Sequence, residues 1–387
     1  MNILSKHKKN TQFLLFASLF LMSQGCSQIR PVPMPFETAV SVMANDLFKQ
    51  VNASQDAVFV IDSFTDADTG EVTDTTKKAS EIIKQEKSDF KFTDMTEDNL
   101  QKATYVVIGI MQSEQYQEGG AAKYPHLMVS IVDKKSKEII AHSESWISDT
   151  RLASESTPLY KDNPIDIKDA NTKLKEDVAK NTSNESAQEK YFDSLGTNAL
   201  LNEARVFYEK SDYKTALHLY EKAAKRDDGK EIMETYYGLY KCFIKLDNKA
   251  AAEQAIDDLV NLGLKNGRIN MRFLFASNKT EFLKTEVLDE YPIWIRQIAK
   301  KMNDSKSCFH VVGHTSKSGS QDHNNMLSTK RAERIKEMLI NEQSGLTSKL
   351  KAYGVGSSQC VGCSDLEAQA RIDRRVEIKV ANCEASK

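Results

Sequence analysis

From residue 270 onward, apolar runs of strand length alternate with amphipathic segments of helix length, and few folds tolerate that alternation. "NMRFLFAS" reads as a strand. A helix is expected from about Asp289 to Met302, because Tyr291, Ile295, Ile298 and Met302 recur at helical spacing. Pro292 falls in its first turn, where a missing N–H costs little. "CFHVVGHT" is a second strand, "NNMLSTKRAERIKEMLI" a second helix, and "LKAYGVG" and "RRVEIKVA" are two more strands. The order βαβαβ with a closing strand predicts a mixed sheet with helices on one face.

At 387 residues the chain is too long for one compact core and predicts several modules, multidomain α+β in class. Residues 36–150 read as a mixed α/β sheet domain. Val40, Met43, Leu47, Phe48 and Val51 mark a helix from Thr38 to Val51. "AVFVIDSF" and "TYVVIGIM" are strands on either side of a helix at Lys77 to Lys87. "HLMVSIVD" and "EIIAHSESWI" flank "KKSK", a hairpin signal. In "DADTGEVTD", Gly70 comes one residue early for a calcium loop counted from Asp66, so a polar turn is expected. Residues 151–190 are poor in large apolar side chains after Ile167 and predict a polar linker, in part helical. Residues 191–266 read as helical hairpins, and residues 268–383 hold the alternating pattern above.

The N-terminus sets the compartment. Lys6, Lys8 and Lys9 precede an apolar run from Phe13 to Met22 that is short for a membrane span. Small and polar residues then lead to Cys26. Residues 1–25 read as a signal peptide, outside the fold, and residues 26–35, with Pro31, Pro33 and Pro35, as a stiff tether. An exported chain can form disulfides. Cys308, Cys360, Cys363 and Cys383 allow two bridges in three connectivities, whereas Cys242 is expected as a buried thiol. Cys308 opens one strand and Cys383 ends another, which would allow a bridge between them, with Cys360 and Cys363 then closing a small loop. A zinc half-site at Cys360 and Cys363 would need further ligands at suitable spacing, and none is visible, so no metal and no cofactor are expected.

A net charge of −2 gives no general attraction for nucleic acid. No phosphate loop, nucleophile–base pair or paired carboxylate has recognisable spacing, so the chain is not read as an enzyme.

Several segments resemble known families. Ending at Cys26, the signal resembles that of bacterial lipoproteins. The resemblance implies acylation (palmitate) of Cys26, and Ser27 implies sorting to the outer membrane, facing the periplasm. "FVIDSFTDADTGEVT", "ATYVVIGIM" and "VSIVDKKSKEIIA" resemble the domain of curli-export and flagellar FlgO-type lipoproteins and of lipoprotein activators of penicillin-binding proteins. Phe207, Ala216, Tyr220, Ala223, Gly238 and Ala250 resemble the small and aromatic positions of tetratricopeptide repeats, with Ala216 and Ala250 34 residues apart.

The C-terminal module closely resembles the OmpA-like peptidoglycan-binding domain. The carrying residues are Gly313-His314-Thr315, Asn324, Leu327-Ser328, Arg331-Ala332 and Arg374-Arg375-Val376-Glu377-Ile378. The resemblance implies a groove, between the loop after the second strand and the next helix, for the diaminopimelate of a peptidoglycan stem peptide. Thr315, Asn324 and Arg374 are expected along it. Arg331 would take the carboxylate, since a guanidinium offers paired donors. The family's acid, which would take the ammonium, is replaced by Ser316. Three readings stay open. Asp322 supplies the charge, or binding persists more weakly through Arg331, Asn324 and backbone groups, or the domain has lost its ligand and serves for docking. Arg375 is expected to pair with Asp373 or Glu377, and His314 to pack.

The implied function is an outer-membrane lipoprotein that links envelope to cell wall non-covalently and offers surfaces to unidentified envelope proteins. The alternative is an accessory lipoprotein of an envelope-spanning machine, such as a secretion system or flagellar apparatus, or an activator of a wall synthase.

Overall fold

The apolar run at 106–111 becomes a central strand because both of its faces are covered. The computed structural model describes residues 31–116, 123–149, 152, 155–161, 163, 167–182, 185–285, 288–360 and 367–383. The expected signal peptide, Cys26 and Cys363 lie outside the described residues. β1 (Val58–Ile61), β2 (Thr65–Asp66), β3 (Lys91–Asp94), β4 (Tyr105–Gln115), β5 (Lys123–Asp133) and β6 (Glu138–Trp146) form the first sheet. Its order is β3-β1-β4-β5-β6, with β2 also paired to β4. β1 is parallel to β3 and β4, and β4, β5 and β6 form an antiparallel meander.

Successive side chains point to opposite faces of a strand. Val107, Leu127, Val129 and Ile131 share a core with α1 (Phe36–Lys49) and α2 (Asp74–Glu86). Short α3 (Glu97–Lys102) leads into β4. On the other face Val106, Ile108, Ile110, Met128 and Val132 pack with α4 (Ala170–Ala179) and α5 (Glu185–Glu209). Two buried faces explain the unbroken apolar run. β3 escapes a sequence reading because it is a short edge strand without a buried side chain. The 66–73 segment is a turn, in which Asp66 Oδ1 accepts the N–H groups of Asp68 and Thr69, both at 2.9 Å.

Residues 151–190 correct the expectation of a linker. Leu159, Tyr160, Ile167, Val178 and Ala179 are buried. Polar neighbours are buried with them, each bonded. Thr157 Oγ1 donates to the Val72 carbonyl at 3.0 Å, and Asn163 Nδ2 to Glu71 at 3.1 Å. Lys175 Nζ lies 2.7 Å from Asp62, whose carboxylate also accepts from Tyr191 (3.1 Å), Asn198 (3.1 Å) and Asn202 (3.2 Å). A segment that buries polar groups through hydrogen bonds has the composition of a solvated one.

α5, α6 (Tyr213–Lys225), α7 (Met233–Lys245) and α8 (Lys249–Lys265) pack in succession. A Cβ on Gly238 would lie 2.3 Å from the Tyr220 ring, so only glycine lets α7 approach α6 so closely. Their core continues into the C-terminal sheet. That sheet contains β7 (Arg268–Leu274), β8 (Cys308–Gly313), β9 (Leu350–Gly354) and β10 (Arg375–Ala381) in the order β7-β10-β8-β9. β10 is antiparallel to both neighbours, and β8 and β9 are parallel. α9 (Tyr291–Asp304) and α10 (Gln321–Glu342) pack in that core, and a short α11 (Glu367–Asp373) leads into β10. Tyr240 of α7 meets Trp294 of α9 at 5.5 Å between ring centroids.

Cys308 and Cys383 form a disulfide that joins the start of β8 to the chain beyond β10. Cys360 is disulfide-bonded as well. Cys242 is free and buried, and burial pushes its thiol up to about 12. Among the described residues no group of three or more His, Cys, Asp or Glu could hold a metal ion.

Two predictions follow from the buried polar groups of the first sheet. Lys175→Met leaves Asp62 charged and buried, so denaturant unfolding should show a loss of about 3 kcal/mol, largely recovered in Asp62→Asn/Lys175→Met. A loss within about 0.5 kcal/mol would mean that the pair is not a tie. His126 stacks on Trp146 at 3.9 Å and lies 3.0 Å from Glu114 and 3.2 Å from Glu144. Burial alone would lower its pKa, but the two carboxylates outweigh burial and raise it. A raised imidazole pKa stabilises the fold at low pH, and that stabilisation fades as pH rises through the folded value. The melting-temperature difference between wild type and His126→Gln should therefore be larger at about pH 6 than at about pH 9. A difference independent of pH would exclude the charged pairing.

Candidate functional site

α10 crosses the end of β8 too closely for a side chain. A Cβ on Gly313 would lie 1.9 Å from the Ser328 carbonyl oxygen, which explains the glycine of the Gly-His-Thr triplet. The loop that follows is pinned on two sides. The His314 N–H donates to the Arg375 carbonyl at 2.8 Å and the Thr315 N–H to the Gly356 carbonyl at 2.9 Å. Ser328 Oγ accepts the Gly356 N–H at 3.0 Å. Ser320 caps α10, its hydroxyl accepting the His323 N–H at 3.3 Å.

Arg331 lies beneath this loop with 0% exposure. Its Nε donates to the Lys279 carbonyl at 2.9 Å, one terminal nitrogen to Ala276 at 2.9 Å, and the other to His314 at 3.1 Å. The guanidinium also faces the Phe275 ring at 5.2 Å. Among the described residues no carboxylate pairs with it. Burial and the nearby Arg374 charge pull its pKa down to about 10, which leaves it charged at neutral pH. Arg374 is buried too, and its Nε donates to the Phe275 carbonyl at 3.2 Å. Two guanidiniums thus converge on the turn after β7.

Asn324 is buried, seven residues before Arg331 in α10 and so on nearly the same face. Thr315 is buried and its Oγ1 has no hydrogen-bond partner. Ser316 is buried, its hydroxyl 3.1 Å from that of Ser318. Asp322 is exposed in the first turn of α10. Nine residues from Arg331, it is about half a turn out of phase. The helix therefore turns Asp322 away from the guanidinium, and it does not supply the charge that Ser316 lacks.

Arg375 is committed elsewhere. Its Nε donates to Glu377 at 2.6 Å and it lies 3.8 Å from Asp373. His314 is buried 3.6 Å from Glu377, and burial lowers its pKa below the ordinary imidazole value. Burial alone would raise the Glu377 carboxyl, but His314 and Arg375 hold it well below the usual carboxylate range. Arg334 lies 5.0 Å from the Phe282 ring.

The sequence reading missed the contribution of the turn after β7. The carbonyls of Ala276 and Lys279 lie more than fifty residues before the arginine they bind, and backbone acceptors leave no mark in a sequence. The arrangement suits capture of an anion by a buried, preorganised cation.

Residues 274–371 match the OmpA family, so the C-terminal module is an OmpA family domain. Outer membrane porin F of Pseudomonas fluorescens is 38% identical over 71 residues, which are 18% of this chain and 21% of that protein. Outer membrane porin F of Pseudomonas aeruginosa is 31% identical over 103 residues, 26% of this chain and 29% of that protein. The match thus spans less than a third of either relative. Among solved structures, the peptidoglycan-associated lipoprotein from Burkholderia pseudomallei is 20% identical with a TM-score of 0.26, over 28% of this chain and 89% of that one. The cell wall anchor of the T6SS from Pseudomonas aeruginosa is 27% identical with a TM-score of 0.23, over 28% of this chain and 75% of that one.

Arg331 holds three carbonyls, of which Ala276's also accepts the Lys279 N–H at 3.2 Å. Arg331→Ala should cost about 3 kcal/mol in denaturant unfolding, and Arg331→Lys less. An unchanged midpoint for Arg331→Ala would mean that the turn after β7 does not depend on the guanidinium.

Proposed function

We propose that this protein, whose residues 274–371 form an OmpA family domain, binds peptidoglycan non-covalently and links the outer membrane to the cell wall. The observation that carries the reading is the buried Arg331 guanidinium beside Arg374, with carbonyl partners and no acid of its own among the described residues. A buried cation in that state is completed by an incoming carboxylate. Peptidoglycan stem peptides carry carboxylates, and the diaminopimelate named by the family resemblance has one at its free end. Asn324 and the unpartnered Thr315 hydroxyl would hold the rest of the ligand. The anchor is acylated Cys26, with residues 27–35 as the tether. The first sheet and α5–α8 offer surfaces to envelope proteins.

Cosedimentation with purified sacculi tests this, using the whole chain with Cys26→Ser to keep it soluble. Wild-type sequence should pellet with the wall. Thr315→Val/Asn324→Ala should keep its fold and bind at least about fivefold more weakly. A wild-type protein that stays in the supernatant would sink the reading.

A further inference from the structure

β1 and β3 are parallel neighbours, and the chain leaves their carboxyl ends towards opposite faces of the first sheet. After β1 it reaches α2, whose Ala79 and Ile83 lie in the core shared with α1. After β3 it enters α3, whose Leu100 packs on the core of the other face. Connections that part in this way leave a crevice beyond the strand ends, the usual ligand position in a sheet with parallel strands. A cleft of about 380 Å³ opens there, large enough for a small organic ligand. Ile61 at the end of β1 and Met95 just beyond β3 line it. So do Ser63 and Asn202, which hydrogen-bond to each other. α2 and α5 form its walls.

The lining carries acids and bases in equal number, but they are not evenly placed. Lys77 of α2 lies 2.7 Å from Glu209, which sets the start of α2 beside the end of α5. Lys210 follows Glu209, exposed and 5.8 Å from the Phe207 ring, and no acid pairs with it among the described residues. Glu203 lines the cleft two turns earlier, about 10 Å along the helix. There it faces Glu97 and Asp98 of α3. Glu97 pairs with Lys222, and Asp94 with Lys84 at 3.4 Å. The cations at this end are thus engaged, and Glu203 has no ion pair among the described residues. Burial and the two acids of α3 raise its pKa above the ordinary carboxylate value. Glu81, exposed one turn along α2 from Lys77, adds negative charge between the two ends. Val206 lies between them on α5, an apolar side chain 44% exposed.

We propose that this cleft binds a short free peptide as its zwitterion, the carboxylate at Lys210, the ammonium at Glu203 and an apolar side chain over Val206. Three residues of extended chain span about 10 Å, the separation of the two charged positions. A segment inside a longer chain lacks both end charges, so the ligand class is free peptides and not a protein partner. The inference does not depend on wall binding, since none of these residues lies in the OmpA family domain at 274–371.

Calorimetric titration of the whole chain, with Cys26→Ser, tests it. The probe is alanyl-leucyl-alanine, alone, N-acetylated (no ammonium) or C-amidated (no carboxylate). The free tripeptide should bind with a Kd below about 1 mM, and each capped form at least about tenfold more weakly. Lys210→Gln should erase the preference over the amide and keep that over the acetylated form. Glu203→Gln should do the reverse. Both side chains reach solvent, so the fold should survive either change. No binding of the free tripeptide would overturn the proposal, as would a capped form binding within about tenfold of it. A preference that survives the substitution aimed at it would place the peptide elsewhere on the protein and overturn the proposal as well.

Discussion

The apolar core shared by α5–α8 and the C-terminal sheet is the constraint on which the rest of the molecule depends. A pair of helical hairpins has open ends and does not bury enough surface alone. Here Tyr240, Leu259 and Val260 on one side and Trp294, Ile295 and Ile298 on the other close it. The Asp257–Lys301 pair at 2.8 Å fixes the same contact at its edge. The C-terminal sheet is therefore packed on the helices and is not a separate module.

The second joint is polar. Glu71 accepts Ser156 at 2.6 Å and Asn163 at 3.1 Å, and lies 3.9 Å from Arg272 of β7. One buried carboxylate therefore touches the first sheet's turn, the strap after it and the C-terminal sheet. Asp62 does the same for β1, α4 and α5. Such groups add little net stability, because desolvation offsets much of their attraction. Their value is selective. A misplaced α4 or α5 would leave charges buried without partners, which is far more costly than a misplaced apolar contact.

These two joints mark where the sequence was legible. The C-terminal strands and helices were, because one buried face imposes period 2 on a strand and 3.6 on a helix. The order β7-β10-β8-β9 agrees with a mixed sheet closed by its last strand. β3 was not legible, since an edge strand needs little burial. Residues 155–182 were read as solvated because hydrogen bonds, not apolar side chains, hold much of them inside. Helical periodicity shows that a face is buried and does not say against what, so the neighbour on which α5–α8 pack was not legible. At the site, Arg331, Thr315, Asn324 and Arg374 were named through the family resemblance. Asp322 was drawn in by closeness in sequence, which a helix overrides within two residues.

Arg331 shows why a residue's role cannot be read from its type alone. Three N–H groups of its guanidinium bind carbonyls of the turn after β7 and of the loop before α10, so the arginine ties two segments that are far apart in the chain. A lysine could not take its place on equal terms, because an ammonium has no planar fork to reach acceptors on both sides. The cost of burying the charge is met by carbonyl oxygens and by the face of the Phe275 ring, with no carboxylate paired to it among the described residues.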